Sequence, residues 1–335
     1  LEIEFNESEV NYMKKFNKFV VGILMLSLVV GFAGCGSKNT GEADSKKTIK
    51  IAYLPITHSV PLYVENEEAK SDKNNFKNTN VELVKFGTWP ELMDALNTGK
   101  VDGAVVLIQL AMKAKEQGID LKAVALGHRD GTNIIVSKDI NSPSDLKGKT
   151  IAIPQKFSTM NILLYQALKN AGMNYSDVKT VELAPAEMPA ALAEGRVSGY
   201  IVAEPFASKS VVNGKGKILY TSSDIWKNSI CCGLVLRNEV IKNNKQSVQE
   251  FVNGYVRAGE EAESKNADVQ KTAAKYMSTD KKVLDLSMKY TSYTDLKIEE
   301  SDYNVLTKYL TTMNLLKDSP KYDEFVDTSL IDGVK

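Results

Sequence analysis

The chain has 335 residues, more than a single hydrophobic core ordinarily organises, so two lobes are the expectation. Lysine plus arginine and aspartate plus glutamate each number 42, a balance that sets up no overall field toward nucleic acid or an anionic surface and excludes nucleic acid as an expected partner. An apolar fraction of 43% describes a folded body, not a disordered chain.

The first element is a targeting segment. KKFNK at 14–18 is followed from Val20 by VVGILMLSLVVGFAGC, which gives the basic region, apolar region and small-residue site of an export signal. A spanning helix needs about 20 continuous apolar residues, and this run meets its glycines and Cys35 sooner. The closing FAGC resembles a bacterial lipobox, which makes Cys35 the expected lipid-attachment site, although Phe32 stands where leucine is usual. SKNTGEADSKK, at 37–47, has the composition of a flexible tether. Met13 directly precedes the basic residues, so 1–12 read as an upstream extension, 1–35 as extension plus signal, and 36–47 as tether.

Beyond the tether the chain repeats itself. ELMDALNTGKVDGAVV at 91–106 aligns without a gap on EMPAALAEGRVSGYIV at 187–202, sharing Ala95/Ala191, Leu96/Leu192, Gly99/Gly195, Val101/Val197 and Gly103/Gly199 among others. Each copy reads as an amphipathic helix stopped by a glycine, then a turn and a buried strand. TIKIAYLP at 48–55 and KTIAIPQ at 149–155 extend the parallel upstream, as strands ended by proline and followed by hydroxyl-bearing loops. Strands are therefore expected near 49–54, 80–86 and 101–107, and again near 150–153, 178–183 and 198–202, in an α/β fold with one mainly parallel sheet per lobe. Further on, Val248, Phe251, Val252, Tyr255 and Val256 form a helical stripe that buries one face against the first lobe, and stretches around 283–290 and 303–316 look similarly amphipathic.

In open α/β sheets ligands sit beyond the carboxyl ends of the strands, where helix N-termini present free N–H groups. Two facing lobes then give a cleft with matched walls, expected as Pro55–Ser59 opposite Gln155–Thr159 and Leu107–Leu110 opposite Ala203–Phe206. Thr57, His58, Ser59, Ser158 and Thr159 fall in these loops, and His58 is expected to confront Ser158 across the groove. Ser59 and Thr159 can cap a helix, touch a ligand, or do both. Trp89 is either a shielded core side chain or an aromatic ligand contact. Gln109, alone among the apolar residues of LIQL, can offer an amide. Arg129 in HRDG suits an oxyanion through its planar fork, or sits in a solvated turn paired with Asp130, with Thr132 and Asn133 nearer the cleft. Glu204 either accepts from a ligand amine or fixes a hinge through nearby N–H groups. Cys231 and Cys232 read as a buried apolar pair, with cleft lining the second reading.

APAEMPAALAEGRVSGYIVAEPF followed by SSDIW, together with SDLKGKTIAIP and QEFVNGYVRAGEEAE, resembles substrate-binding proteins of ABC importers for nitrate, sulfonate, taurine and bicarbonate, a branch that also includes thiamine-pyrimidine binders. The resemblance covers residues 48–333. It implies a type II periplasmic-binding-protein fold, with 48–135 and 235–335 in the first lobe and 136–234 in the second, hinged around a cleft. It also implies a monomeric, lipid-anchored extracytoplasmic receptor that closes on one small molecule and delivers it to ABC permease and ATPase subunits. Where the nitrate and bicarbonate branch carries histidines, QKFSTMN has Phe157 and Met160, which suits an organosulfonate or a heteroaromatic vitamin precursor. The alternative within the superfamily is an enzyme of pyrimidine or thiamine-precursor biosynthesis, against which the export signal argues.

No enzyme activity, cofactor or metal is expected from spacing. The two histidines, His58 and His128, have no short-spaced partner, the cysteines lack zinc-type spacing, and no nucleophile elbow is present.

Overall fold

The computed structural model describes residues 46–334 other than 72, 74 and 75, so the expected signal segment, Cys35 and nearly all of the tether lie outside the described residues. In chain order the strands are β1 (Lys47–Tyr53), β2 (Thr79–Lys85), β3 (Gly103–Leu107), β4 (Leu121–Leu126), β5 (Arg129–Asp130), β6 (Thr132–Val136), β7 (Thr150–Ile153), β8 (Lys179–Glu182), β9 (Gly199–Ala203), β10 (Lys217–Thr221), β11 (Cys232–Arg237) and β12 (Thr291–Ser292). They form two five-stranded sheets, ordered β2-β1-β3-β11-β4 and β8-β7-β9-β6-β10, and β5 pairs with β12 in a separate ribbon.

The two sheets follow one plan. Each has a parallel core of three strands, then an antiparallel strand, then a fourth strand running with the core. The antiparallel strand of each sheet is the one that follows a crossover, since β6 enters the second sheet after β4, and β11 returns to the first after β10. This corrects the expected divisions at 135 and 234. Thr132 already pairs with Ala203 of the second sheet, and Cys232 already pairs with Leu107 of the first.

The repeated residues have repeated work. The helices Trp89–Asn97 and Met188–Ala193 both end in a Schellman motif: Lys100 N–H bonds Ala95 O at 3.0 Å and Gly99 N–H bonds Leu96 O at 3.2 Å, while Arg196 and Gly195 make the same bonds to Ala191 and Leu192 at 2.9 and 3.1 Å. That geometry needs a left-handed residue, and φ is 73° at Gly99 and 72° at Gly195. The next shared glycine admits the antiparallel strand. A Cβ at Gly103 would lie 2.7 Å from the Val235 carbonyl oxygen, and one at Gly199 would lie 2.8 Å from that of Ile135.

The helix Lys245–Glu263 packs on Val60–Lys70 beside the first sheet, with Val248, Phe251, Val252 and Tyr255 fully buried and Val256 at the margin. Each apolar side chain of that size contributes roughly 1.5–3 kcal/mol through burial. The expected amphipathic stretches are the helices Lys281–Ser287 and Glu300–Thr312.

Candidate functional site

The loops at the carboxyl ends of the strands meet between the two sheets. The 3₁₀ turn Thr57–Ser59 follows β1, and Thr57 donates its N–H to the carbonyl oxygen of Glu204 after β9 at 2.8 Å. Reciprocally, Gln109 after β3 donates from Nε2 to Thr159 Oγ1 after β7 at 2.5 Å. The wall pairing is therefore crossed with respect to the expected one. In both contacts a first-strand loop faces the partner sheet's third-strand loop.

Most of the expected residues are gathered here. Thr57, His58, Ser59, Gln109, Thr132, Ser158, Thr159 and Glu204 are all buried. Ser158, not Thr159, is the helix cap: its Oγ accepts from Asn161 N–H at 3.2 Å and donates to Gln155 O at 2.6 Å. Thr159 accepts from Gln109 and donates to Ile230 O at 2.8 Å. Ser59 makes no side-chain cap bond to the helix Val60–Lys70. Its Oγ, Gln109 Oε1, Thr132 Oγ1 and Asn133 Oδ1 are buried without a hydrogen-bond partner. Phe157 is half-buried against the core. Trp89 is buried and lines a cavity of about 180 Å³ with Thr88, Pro154, Gln155 and Leu183.

Two charged residues serve the frame. Glu204 accepts from Asn133 Nδ2 at 2.6 Å, Ser208 N–H at 2.9 Å and Ser287 Oγ at 3.0 Å. Burial raises its carboxyl above the ordinary range, against the lowering effect of those donors. Arg129 is not in a solvated turn with Asp130, which corrects that reading. Its guanidinium bonds Asp302 at 2.8 Å and the carbonyls of Asp295, Asn228 and Lys297 at 3.0–3.2 Å, anchoring the C-terminal segment. Asp130 instead accepts from the N–H and hydroxyl of Ser229.

The residues that spacing did not connect are His128, Cys231 and Cys232. With His58 they form a buried group whose donor atoms lie within 4.8 Å of one another. The His58 and His128 rings stack at 3.4 Å between centroids, 19° from parallel. Cys232 Sγ is 3.5 Å from His58 Nδ1 and 4.0 Å from Cys231 Sγ, and Met160 Sδ lies 3.7 Å from Cys231 Sγ. His58 Nε2 donates to Gly131 O at 3.0 Å, so in a neutral ring Nδ1 carries the lone pair. Burial, then the neighbouring His58, lowers His128 to about 4. Burial opposes ionisation of Cys231, but hydrogen bonds from Cys232, His128 and His58 outweigh it and hold that thiol well below the usual cysteine range. Burial, then Cys231, pushes Cys232 well up. The usable signal was topological. β11 runs antiparallel between β3 and β4, so the residues entering it reach the sheet edge that β1 and β4 leave.

Comparison with known proteins agrees with this architecture. A ligand-binding component of an ABC-type import system from Staphylococcus aureus, solved with zinc bound, is 38% identical, with a TM-score of 0.83 over 87% of this chain and 99% of that one. The Escherichia coli protein provisionally named as an aliphatic sulfonates-binding protein is 27% identical over 207 residues, 61% of this chain and 63% of its own length. The riboflavin-binding protein RibY of Chloroflexus aurantiacus is 25% identical over 272 residues, 73% of this chain and 74% of its own. These relatives are binding proteins. The chain spans 30%, 63% and 36% of the length of the first three curated relatives it matches. The profile of the NMT1-like family matches residues 42–278, more than half of the sequence, and the chain belongs to that family.

Proposed function

We propose that this chain is the extracytoplasmic solute receptor of an ABC importer. It captures one small molecule, an organosulfonate or a heteroaromatic vitamin precursor, by hinge closure, and hands it to permease and ATPase subunits. The observation that carries this reading is the set of unpartnered buried atoms at the strand ends, Ser59 Oγ, Gln109 Oε1, Thr132 Oγ1 and Asn133 Oδ1. Buried polar atoms are ordinarily paired, so a group of them at a sheet-to-sheet seam supports a polar solute as the missing partner.

The crossed contacts supply the closing device. Thr57 N–H to Glu204 O and Gln109 Nε2 to Thr159 Oγ1 join the two halves of the repeat in the closed arrangement. A solute that also bridges them favours that arrangement only through its extra affinity for it. Arg129 is committed to Asp302, so the hydroxyls of Ser59 and Thr132 would donate to an anionic oxygen, while Gln109 Oε1 and Asn133 Oδ1 accept only and call for N–H or O–H groups on the solute. The relatives named for sulfonates and riboflavin fall in the same two classes. Lipid attachment at Cys35 would hold the monomeric receptor at the membrane through the tether 36–47.

A melting screen of the full chain in mild detergent, against alkanesulfonates, taurine, nitrate, bicarbonate, riboflavin and pyrimidine precursors, tests the ligand class. A hit at 100 times its dissociation constant stabilises by about 2.7 kcal/mol. A screen in which only nitrate or bicarbonate moves the melting point would sink the class named here.

A further inference from the structure

We propose that His58, His128, Cys231 and Cys232 bind one zinc ion in a closed tetrahedral site. The site goes beyond the solute-receptor reading and does not depend on it.

The donor set is two thiols and two imidazoles, the combination that a tetrahedral zinc ion takes from proteins. With metal–sulfur bonds of about 2.3 Å and metal–nitrogen bonds of about 2.0–2.1 Å, the donors of such a site are separated by roughly 3.3–3.8 Å. The observed separations are already close to that: 3.5 Å from Cys232 Sγ to His58 Nδ1, 4.0 Å between the two sulfurs, and 4.8 Å as the outer limit for the whole group.

The surroundings of the group match what a bound ion needs. A ligating histidine ordinarily gives its other ring N–H to a carbonyl or carboxylate, which fixes the tautomer. His58 does this through Nε2 to Gly131 O and leaves Nδ1 facing Cys232. His128 is fully buried, its Nδ1 has no partner, and its Nε2 accepts from Cys232 N–H at 3.4 Å. Its Nδ1 is therefore open to a further partner. Charge also balances. Any proton the two sulfurs carry passes to solvent on binding, and a dication with two thiolates and two neutral imidazoles carries no net charge, as a fully buried site requires.

One rearrangement is required. A metal lies in the plane of each imidazole it binds, and two rings stacked 3.4 Å apart cannot both meet that condition, so loading must swivel them out of the stack. The ion would then tie the loop after β1 to both segments that pass between the sheets, since His128 follows β4 and Cys231 precedes β11.

The test uses the full chain in mild detergent, reduced and stripped of metal, then titrated with zinc alone and passed through a desalting column. One retained equivalent is expected, with cobalt(II) in its place giving tetrahedral ligand-field bands and thiolate charge transfer. The Cys231→Ala/Cys232→Ala variant should retain no zinc and show no charge transfer, with far-UV circular dichroism reporting whether it folds. Should it fail to fold, the wild-type cobalt spectrum decides, because thiolate charge transfer arises only from bonded sulfur. Full retention by a folded double variant would mean an adventitious surface ion and overturn the site. So would retention of copper(I) but not zinc, or wild-type protein with both thiols free to alkylation and no metal held.

Discussion

Thr57 donates its backbone N–H to the carbonyl oxygen of Glu204 at 2.8 Å, across the seam between the two sheets. The reciprocal bond, Gln109 Nε2 to Thr159 Oγ1 at 2.5 Å, repeats the relation with the roles of the two copies exchanged. Duplication thus produced more than two similar sheets. It produced a self-complementary seam, in which each copy contributes one first-strand loop and one third-strand loop.

Gln109→Ala removes one of these two cross-seam bonds and leaves Thr159 without its donor. A buried hydrogen bond lost in this way costs about 1–3 kcal/mol, most of it on the closed arrangement. Ligand-free variant should therefore show a larger radius of gyration by small-angle scattering than wild type, and weaker affinity for any solute found in the melting screen. An unchanged radius and unchanged affinity would remove Gln109 from the closing device.

Glu65 sits on the helix Val60–Lys70, fully buried, with neither carboxyl oxygen hydrogen-bonded. Burial, then Glu68, raises its pKa well above the ordinary 4.5, with Arg257 opposing. The folded chain holds the proton, and the unfolded chain releases it once pH exceeds 4.5. The favourable contribution is then complete below that pH and declines as pH rises toward the folded-state value. Glu65→Gln should be more stable than wild type at neutral pH, with a difference growing by up to about 1.4 kcal/mol per pH unit above the unfolded pKa. Urea unfolding of both proteins at pH 4, 6 and 8 measures it, and parallel curves would show that Glu65 is ionised in the fold.

Gly103→Ala and Gly199→Ala should each destabilise by about 1–3 kcal/mol, because the new methyl meets the backbone of the antiparallel strand, which cannot move aside as a side chain could. Similar losses in both, read from chemical denaturation, would follow from their equivalent places in the repeat. A tolerated Gly199→Ala with a damaging Gly103→Ala would limit the equivalence to sequence.

Arg129→Met should lower stability by roughly 2 kcal/mol, since it strips Asp302 of its partner and leaves three carbonyl acceptors without a donor. Arg129→Lys should recover only part of this, because a single ammonium cannot reach acceptors arranged around a planar fork. Thermal unfolding of the three proteins checks the order, and a lysine variant equal to wild type would contradict it.

Local and periodic features were readable from the chain directly. The helix stop at Gly99 and Gly195, the buried strands that follow, and the stripe Val248, Phe251, Val252 and Tyr255 depend on neighbours within about one or two turns, so spacing alone reveals them. Whether Thr159 caps the helix after β7 or makes another contact stays open in the sequence, because Ser and Thr can both cap and only backbone geometry shows that Ser158 does so. Long-range pairings were beyond such reading. Arg129 reaches Asp302 and Cys232 meets His58 across 173 and 174 residues, and nothing in either neighbourhood encodes the other. The direction of β11 brings the cysteines to the histidines, and the way the two sheets meet sets Thr57 against Glu204. Both are properties of how elements are stacked in space, which periodicity along one chain does not carry.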